Sequence, residues 1–139
     1  MTETSGRDGT TWGAAEVRAA VRSYWAAANA RDWGAFAATL ADDVVYDLPQ
    51  TRERILGKER YTRFNQEYPG DWQVRIERIV ADAEGRQAAA RTLVTVGPEE
   101  LDAIHFFTFD ERGRIAGVTD FWPETYEPPA GREHLTERY

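Results

Sequence analysis

Apolar residues first recur at helical spacing, with Val17, Val21, Tyr24, Trp25 and Ala28 on one stripe and alanine filling the gaps. That pattern predicts an amphipathic helix from about Ala14 to Ala30, with Arg18 and Arg22 on its wet face. Asp32 is placed to cap a second, short helix carrying Trp33, Phe36 and Leu40 inward, and Asp42-Asp43 ends it. Val44 to Leu48 reads as a short strand stopped by Pro49. On that strand Asp47 shares a face with Val45, and Tyr46 with Val44 and Leu48; so short a run leaves open which face is inner. Gln50 to Ile55 reads as a charged connection running to Gly57. A third helix, about Lys58 to Glu67, brings Tyr61, Phe64 and Tyr68 onto one side with Asn65 beside them, and Pro69-Gly70 ends it.

Beyond Pro69-Gly70 the period switches from helical to alternating. Trp72, Val74 and Ile76 lead a strand to about Ala81, Asp82 to Gly85 turns it, Gln87 to Val96 runs back, and Gly97-Pro98-Glu99 turns again. Two apolar runs, Ile104–Phe109 and Ile115–Trp122, then flank Asp110-Glu111-Arg112-Gly113, a hairpin signal. Helices followed by an antiparallel meander predict an α+β domain in the order α-α-β-α-β-β-β-β, with the helices covering the sheet.

The phase of the last hairpin carries the chemistry. His105, Phe107 and Phe109 share one face of the first strand. If the second strand is regular, Ile115 falls on the face opposite to Val118, Asp120 and Trp122. One extra residue near Gly117 realigns them, since a glycine inside a strand often marks a bulge. Phe107 then faces Val118, and His105 faces Asp120 within cross-strand reach. A bulge-free hairpin separates the two.

Composition bounds the rest. The chain has 139 residues, enough for one domain with its own core, and no cysteine, which excludes disulfides, thiol chemistry and cysteine-ligated zinc. A net charge of −7, with arginines dispersed among acids, argues against nucleic acid as a partner. No apolar run is long enough to span a membrane, and the polar start lacks the core of a signal peptide, so a cytoplasmic protein is expected. Residues 1–13 are expected to be disordered, 14–125 to form the domain, and 126–139 to be a tail with one or two helical turns near Arg132–Arg138. Five Trp, six Tyr and six Phe are the unusual feature, suiting either a ring-lined cavity or a bulky core.

Asp120, between apolar neighbours on an inward face, is the leading catalytic candidate, because a buried carboxyl is costly unless paired or neutral, and such groups mark sites of proton transfer. His105 joins it as a partner that titrates near neutrality in its ordinary state. Asp47 is a second candidate base, with the alternative of a solvated strand-end acid. Tyr24, Trp33, Tyr46, Tyr61, Phe64, Asn65, Phe107 and Trp122 are the candidate substrate-binding residues. For Asn65 the sequence favours neither pocket nor water, and Arg91 is expected at solvent or a dimer face. No metal site is expected from two histidines far apart, and no cofactor, since no glycine-rich phosphate loop lies in a strand–helix context.

The order of elements, together with YDLP at Tyr46–Pro49, GKERYTRFN at Gly57–Asn65 and FTFDERGRIAGVTDFWPE at Phe107–Glu124, resembles the SnoaL-like branch of the nuclear transport factor 2-like superfamily over about residues 14–125. The resemblance implies a cone of curved antiparallel sheet closed by helices, a pocket inside, and a homodimer formed through the outer sheet face. It also implies that Asp120 corresponds to the family's recurrent acid on the last strand, that His105 matches the histidine placed beside it in cyclases, and that Asp47 stands where isomerase-like members carry a base. The Arg–Asp–Asp arrangement of the epoxide hydrolases is absent, with Arg91 alone among alanines. A shared fold leaves function open. The expected function is a cofactor-independent acid–base enzyme, of isomerase, cyclase or dehydratase type, acting on a small apolar cyclic metabolite. The alternatives are a binding module that leaves its ligand unchanged, and a structural dimer whose cone is plugged by its own aromatics.

Overall fold

The computed structural model describes residues 12–139. Helices α1 (Ala14–Ala30) and α2 (Trp33–Ala38) lead into strands β1 (Leu40–Leu48) and β2 (Glu53–Leu56). Helix α3 (Lys58–Gln66) follows, and then β3 (Trp72–Asp82), β4 (Gln87–Val96), β5 (Glu99–Phe109) and β6 (Ile115–Phe121). The α+β class stands: a curved six-stranded sheet, not closed, carries the helices on one face. No helix among the described residues is long and apolar enough to cross a membrane. Of the segment expected to be disordered, residues 1–11 lie outside the described residues, while Trp12 packs on Phe109 with ring centroids 5.7 Å apart.

Strand order is β2-β1-β6-β5-β4-β3. The expected meander is present from β3 to β6, with two departures. β1 runs parallel to β6, so the sheet is mixed rather than wholly antiparallel. The stretch read as a charged connection contains β2, which pairs antiparallel with β1. As an edge strand β2 buries only Ile55 in part and keeps its charges outward, which erases the alternation that would have announced it. A third difference is at the end of α2. Leu40, Asp42 and Asp43 belong to β1, whose pairing with β6 shifts between Leu40 and Val45, and Asp42 reaches Lys58 at 2.9 Å instead of ending a helix.

α1 buries Val17, Val21, Tyr24, Trp25, Ala27 and Ala28, the stripe its spacing demands. Its first turn is closed by Glu16, whose carboxylate accepts the Gly13 N–H at 2.7 Å. Its C-terminal end is stitched to the free edge of β3. The Asn29 side chain donates to Val74 O and accepts from Val74 N, each at 2.8 Å, and Arg31 donates to Trp72 O while lying 3.8 Å over the Trp72 ring. These contacts occupy main-chain groups that an exposed edge would leave unpaired. Asp32 caps α2 as expected, accepting from Ala35 N at 3.1 Å. Between the helices and the sheet Tyr24, Phe36, Tyr61 and Phe107 pack ring on ring, with successive centroids 4.9 to 5.8 Å apart. The tail after Trp122 is exposed and contains turns but no helix.

Candidate active site

Between β5 and β6 the register places Phe109 opposite Ile115, Thr108 opposite Gly117, Phe107 opposite Val118 and His105 opposite Asp120. Ala116 is the extra residue, so the hairpin carries the bulge that turns Asp120 inward. Gly117 is favoured by proximity, not by its backbone angles: a Cβ there would lie 2.7 Å from Thr108 Oγ1.

The bulge assembles a buried hydrogen-bonded chain from four strands. Asp120 is 5% exposed. Its Oδ1 meets His105 Nδ1 at 2.7 Å, and its Oδ2 accepts from the Tyr46 hydroxyl at 2.8 Å. On the far side of the imidazole, His105 Nε2 lies 2.7 Å from Thr92 Oγ1, with both residues fully buried. Tyr46 reaches Asp120 because β1 turns Val44 and Tyr46 inward, which settles the face left open by the sequence. The Tyr46 ring stacks on Tyr61 at 4.5 Å, and the Tyr61 hydroxyl is hydrogen-bonded to that of Tyr24. Burial first, and then the nearby Asp120 charge, push the Tyr46 and Tyr24 hydroxyls upward in pKa. Tyr61 is raised by burial and then by Tyr24 and Asp120. All three therefore stay protonated, and Tyr46 remains a donor to the carboxylate.

Asp120 sits in the wall of a chamber of about 400 Å³. Of the residues singled out in the sequence, Tyr24, Tyr46, Phe64, Asn65 and Trp122 also line it. Asn65, undecided from the sequence, is a wall residue whose side-chain amide donates to Tyr61 O at 2.9 Å. Trp33, Tyr61 and Phe107 are not wall residues: Trp33 packs between Phe36 and Trp72, and the other two belong to the buried ring cluster between helices and sheet. His105 stands behind Asp120, out of the chamber. Asp47 is not brought to the site at all. It lies on the opposite face of β1 from Tyr46, held by Arg54 at 2.6 Å, and this hydrogen bond lowers its pKa, leaving it a poor base. Arg91 faces outward and meets Asp102 at 3.4 Å, as a solvent-side arginine.

Several wall residues were missed. Trp25, Trp72, Val74 and Val94 carry inward positions on predicted elements, so the periodicity already contained them. Thr92 was also findable, as the one polar residue in the inward set Ala88, Ala90, Thr92, Val94. Gln50 gave no signal. It stands at the chamber mouth, donating to Trp122 O at 3.0 Å and accepting from Trp122 N, and so ties the turn after β1 to the end of β6.

Chemically, the arrangement is one buried carboxyl in a largely aromatic and aliphatic chamber, with both oxygens hydrogen-bonded, while the other two carboxyls of the lining, Asp102 and Glu124, are exposed. Among the described residues no group of three potential metal ligands comes together. No protein of curated function matches the sequence. A protein of Kribbella flavida DSM 17836, provisionally named a ketosteroid isomerase, is 51% identical over 91% of each chain, with a TM-score of 0.86. One from Pseudomonas putida KT2440, provisionally named a polyketide cyclase, is 30% identical over 77% of this chain and 91% of its own, with a TM-score of 0.65. A nuclear transport factor 2-like protein of unknown function from Burkholderia xenovorans LB400 shares the fold, at 22% identity over 90% and 96% of the two chains and a TM-score of 0.76. The SnoaL-like domain pattern itself matches residues 21–118, spanning both the histidine strand and the bulge, and the chain therefore belongs to the SnoaL-like domain family.

Proposed function

We propose that this protein is a cofactor-independent acid–base enzyme whose single proton carrier is Asp120, acting on a small apolar cyclic ketone or alcohol. The observation that carries the reading is the carboxyl of Asp120: the one buried carboxyl in the wall of a mainly apolar chamber, steadied by His105 and Tyr46. A carboxylate so placed removes a proton from carbon next to a carbonyl and can return it to another carbon, so no second acid is required. Isomerisation, aldol-type cyclisation and dehydration all begin with that step. Trp25, Phe64, Trp72 and Trp122 supply flat apolar walls that hold rings and exclude water. The similarity to proteins named for ketosteroid isomerase and polyketide cyclase points the same way.

The first substrate to try is a β,γ-unsaturated 3-ketosteroid, whose conversion to the conjugated isomer is read by absorbance. One proton leaves the carbon between carbonyl and alkene for Asp120 and is returned to the far alkene carbon, with no net change in composition. Asp120→Asn is expected to bind the steroid and lower kcat by about 10²-fold or more. Turnover by Asp120→Asn at the wild-type rate ends the acid–base reading. The chamber's volume of about 400 Å³ speaks against a fully plugged cone. The expected pairing of two copies through the outer sheet face draws on the exposed row Val80, Ile104 and Phe106, and Phe106→Glu is expected to leave a monomer on gel filtration.

A further inference from the structure

We propose that Thr92 is a positioning residue: its hydroxyl donates to His105 Nε2 and so fixes the imidazole as the Nδ1–H tautomer that faces Asp120. This rests on the acid–base reading of Asp120. Thr92 lies on the inner face of β4 with no exposed surface, and it is not a wall residue, so it does not touch a ligand. Its cross-strand partner is Ala103, and that of His105 is Ala90. Two small residues thus open a diagonal path along which the imidazole leans to within 2.7 Å of Oγ1. The rings of Trp25, Phe107 and Trp122 surround the imidazole at 4.7, 6.3 and 6.3 Å. Among the described residues, Thr92 is the only hydrogen-bond partner of Nε2, and Nε2 is the only partner of the Thr92 hydroxyl.

Counting protons gives the direction of the bond. With Asp120 ionised, both of its oxygens can only accept, Oδ2 from Tyr46 and Oδ1 from His105 Nδ1, which must then carry a proton. If Nε2 also carried a proton, it would donate to Oγ1, and the Thr92 O–H would be buried with no acceptor. If Nε2 is bare, the O–H donates to it and only hydroxyl lone pairs go unused, the cheaper deficit. The same count applies to a neutral Nε2–H tautomer, which would in addition require Asp120 to be protonated. His105 therefore stays a neutral donor to Asp120 and offers no second proton exit through Nε2. The imidazole orients and steadies the carboxylate; Asp120 alone exchanges the proton.

The test is nitrogen-15 NMR of the imidazoles in the full chain. The sequence has two histidines, so His134→Gln leaves His105 as the one signal. Expected in this background are a protonated Nδ1 and a bare, hydrogen-bonded Nε2. In Thr92→Val the Nε2 resonance moves to that of an unbonded nitrogen, and Thr92→Ser returns it. With the ketosteroid probe, Thr92→Val lowers kcat about three- to tenfold, the worth of one neutral hydrogen bond, with KM within about twofold, and Thr92→Ser restores it. A protonated Nε2 in the parent, an Nε2 signal unmoved by Thr92→Val, or a failure of Thr92→Ser to restore it overturns the proposal. If Thr92→Val does not fold, the parent and Thr92→Ser spectra still decide. Correct nitrogen signals together with an Asp120→Asn that turns over normally would sink the acid–base reading and leave the role of Thr92 standing.

Discussion

Gly117→Ala probes the bulge that turns Asp120 inward. A Cβ at position 117 would stand 2.7 Å from Thr108 Oγ1, with its next neighbours, Val45 O and Thr108 Cβ, at 3.8 and 3.9 Å. One atom therefore makes the whole obstacle. Thr108 is exposed and can rotate it away, at a cost of about 0.5–1.5 kcal/mol for leaving its preferred rotamer. Gly→Ala at a backbone angle open to alanine returns about 0.4–1 kcal/mol by restricting the unfolded chain. The two terms nearly cancel, so Gly117→Ala alone is expected to lie between about 0.5 kcal/mol stabilising and about 1 kcal/mol destabilising. In a Thr108→Ala background the obstacle is gone and the same substitution stabilises, by about 0.4–1 kcal/mol. Urea denaturation of all four proteins closes the cycle, with a coupling of about 0.5–1.5 kcal/mol between the sites. An identical effect of Gly117→Ala in both backgrounds would refute the close approach, and with it the geometry of the bulge.

Other substitutions reach the remaining parts of the site. Tyr46→Phe removes the donor to Asp120 Oδ2 and is expected to cost about 1–3 kcal/mol in urea unfolding, toward the lower end because chamber water can replace the hydroxyl; no loss would mean that the bond contributes nothing. Tyr24, Tyr46 and Tyr61 have folded pKa values raised by burial, so their contribution is complete below the ordinary tyrosine value of about 10 and is lost as pH rises above it. Unfolding free energy is then expected to fall by about 4 kcal/mol per pH unit above that value, and phenolate absorbance from these three in the still-folded protein would contradict it. Asp47→Asn is expected to leave turnover unchanged and to cost less than about 1 kcal/mol, because its bond to Arg54 is a surface pair. The lowered pKa of Asp47 gives a contribution present above about pH 3.9 and lost as pH falls through the folded value, and a large fall in kcat for Asp47→Asn would return it to the candidate bases.

The sequence was most readable where one face is strongly buried, because there register and periodicity are the same fact. For His105, Phe107, Val118 and Asp120 the sequence offered two registers, bulged and regular, and the structure has the bulged one, which keeps the apolar residues on one face. The same reasoning gave out where burial is weak. β2 hides behind Glu53 and Arg54, and Asp47 could be assigned to a face only once β1 was seen between β2 and β6. Leu40 is buried whether it ends a helix or begins a strand, so burial alone could not date the change of structure there. Thr92 shows a different limit. Its inward position follows from alternation, but its service to His105 depends on a diagonal across β4 and β5 that no single strand displays.

The amide of Gln50 has a consequence for traffic through the molecule. Since it grips both main-chain groups of Trp122, the doorway is framed by the reach of one side chain across a short turn. A relative with one more residue in that turn would lose the grip and gain a wider entrance without any change to the hydrogen-bonded chain around Asp120. Differences in which guests such proteins admit can thus arise at a turn of four residues, 49–52, with Asp120, His105 and Tyr46 left as they are.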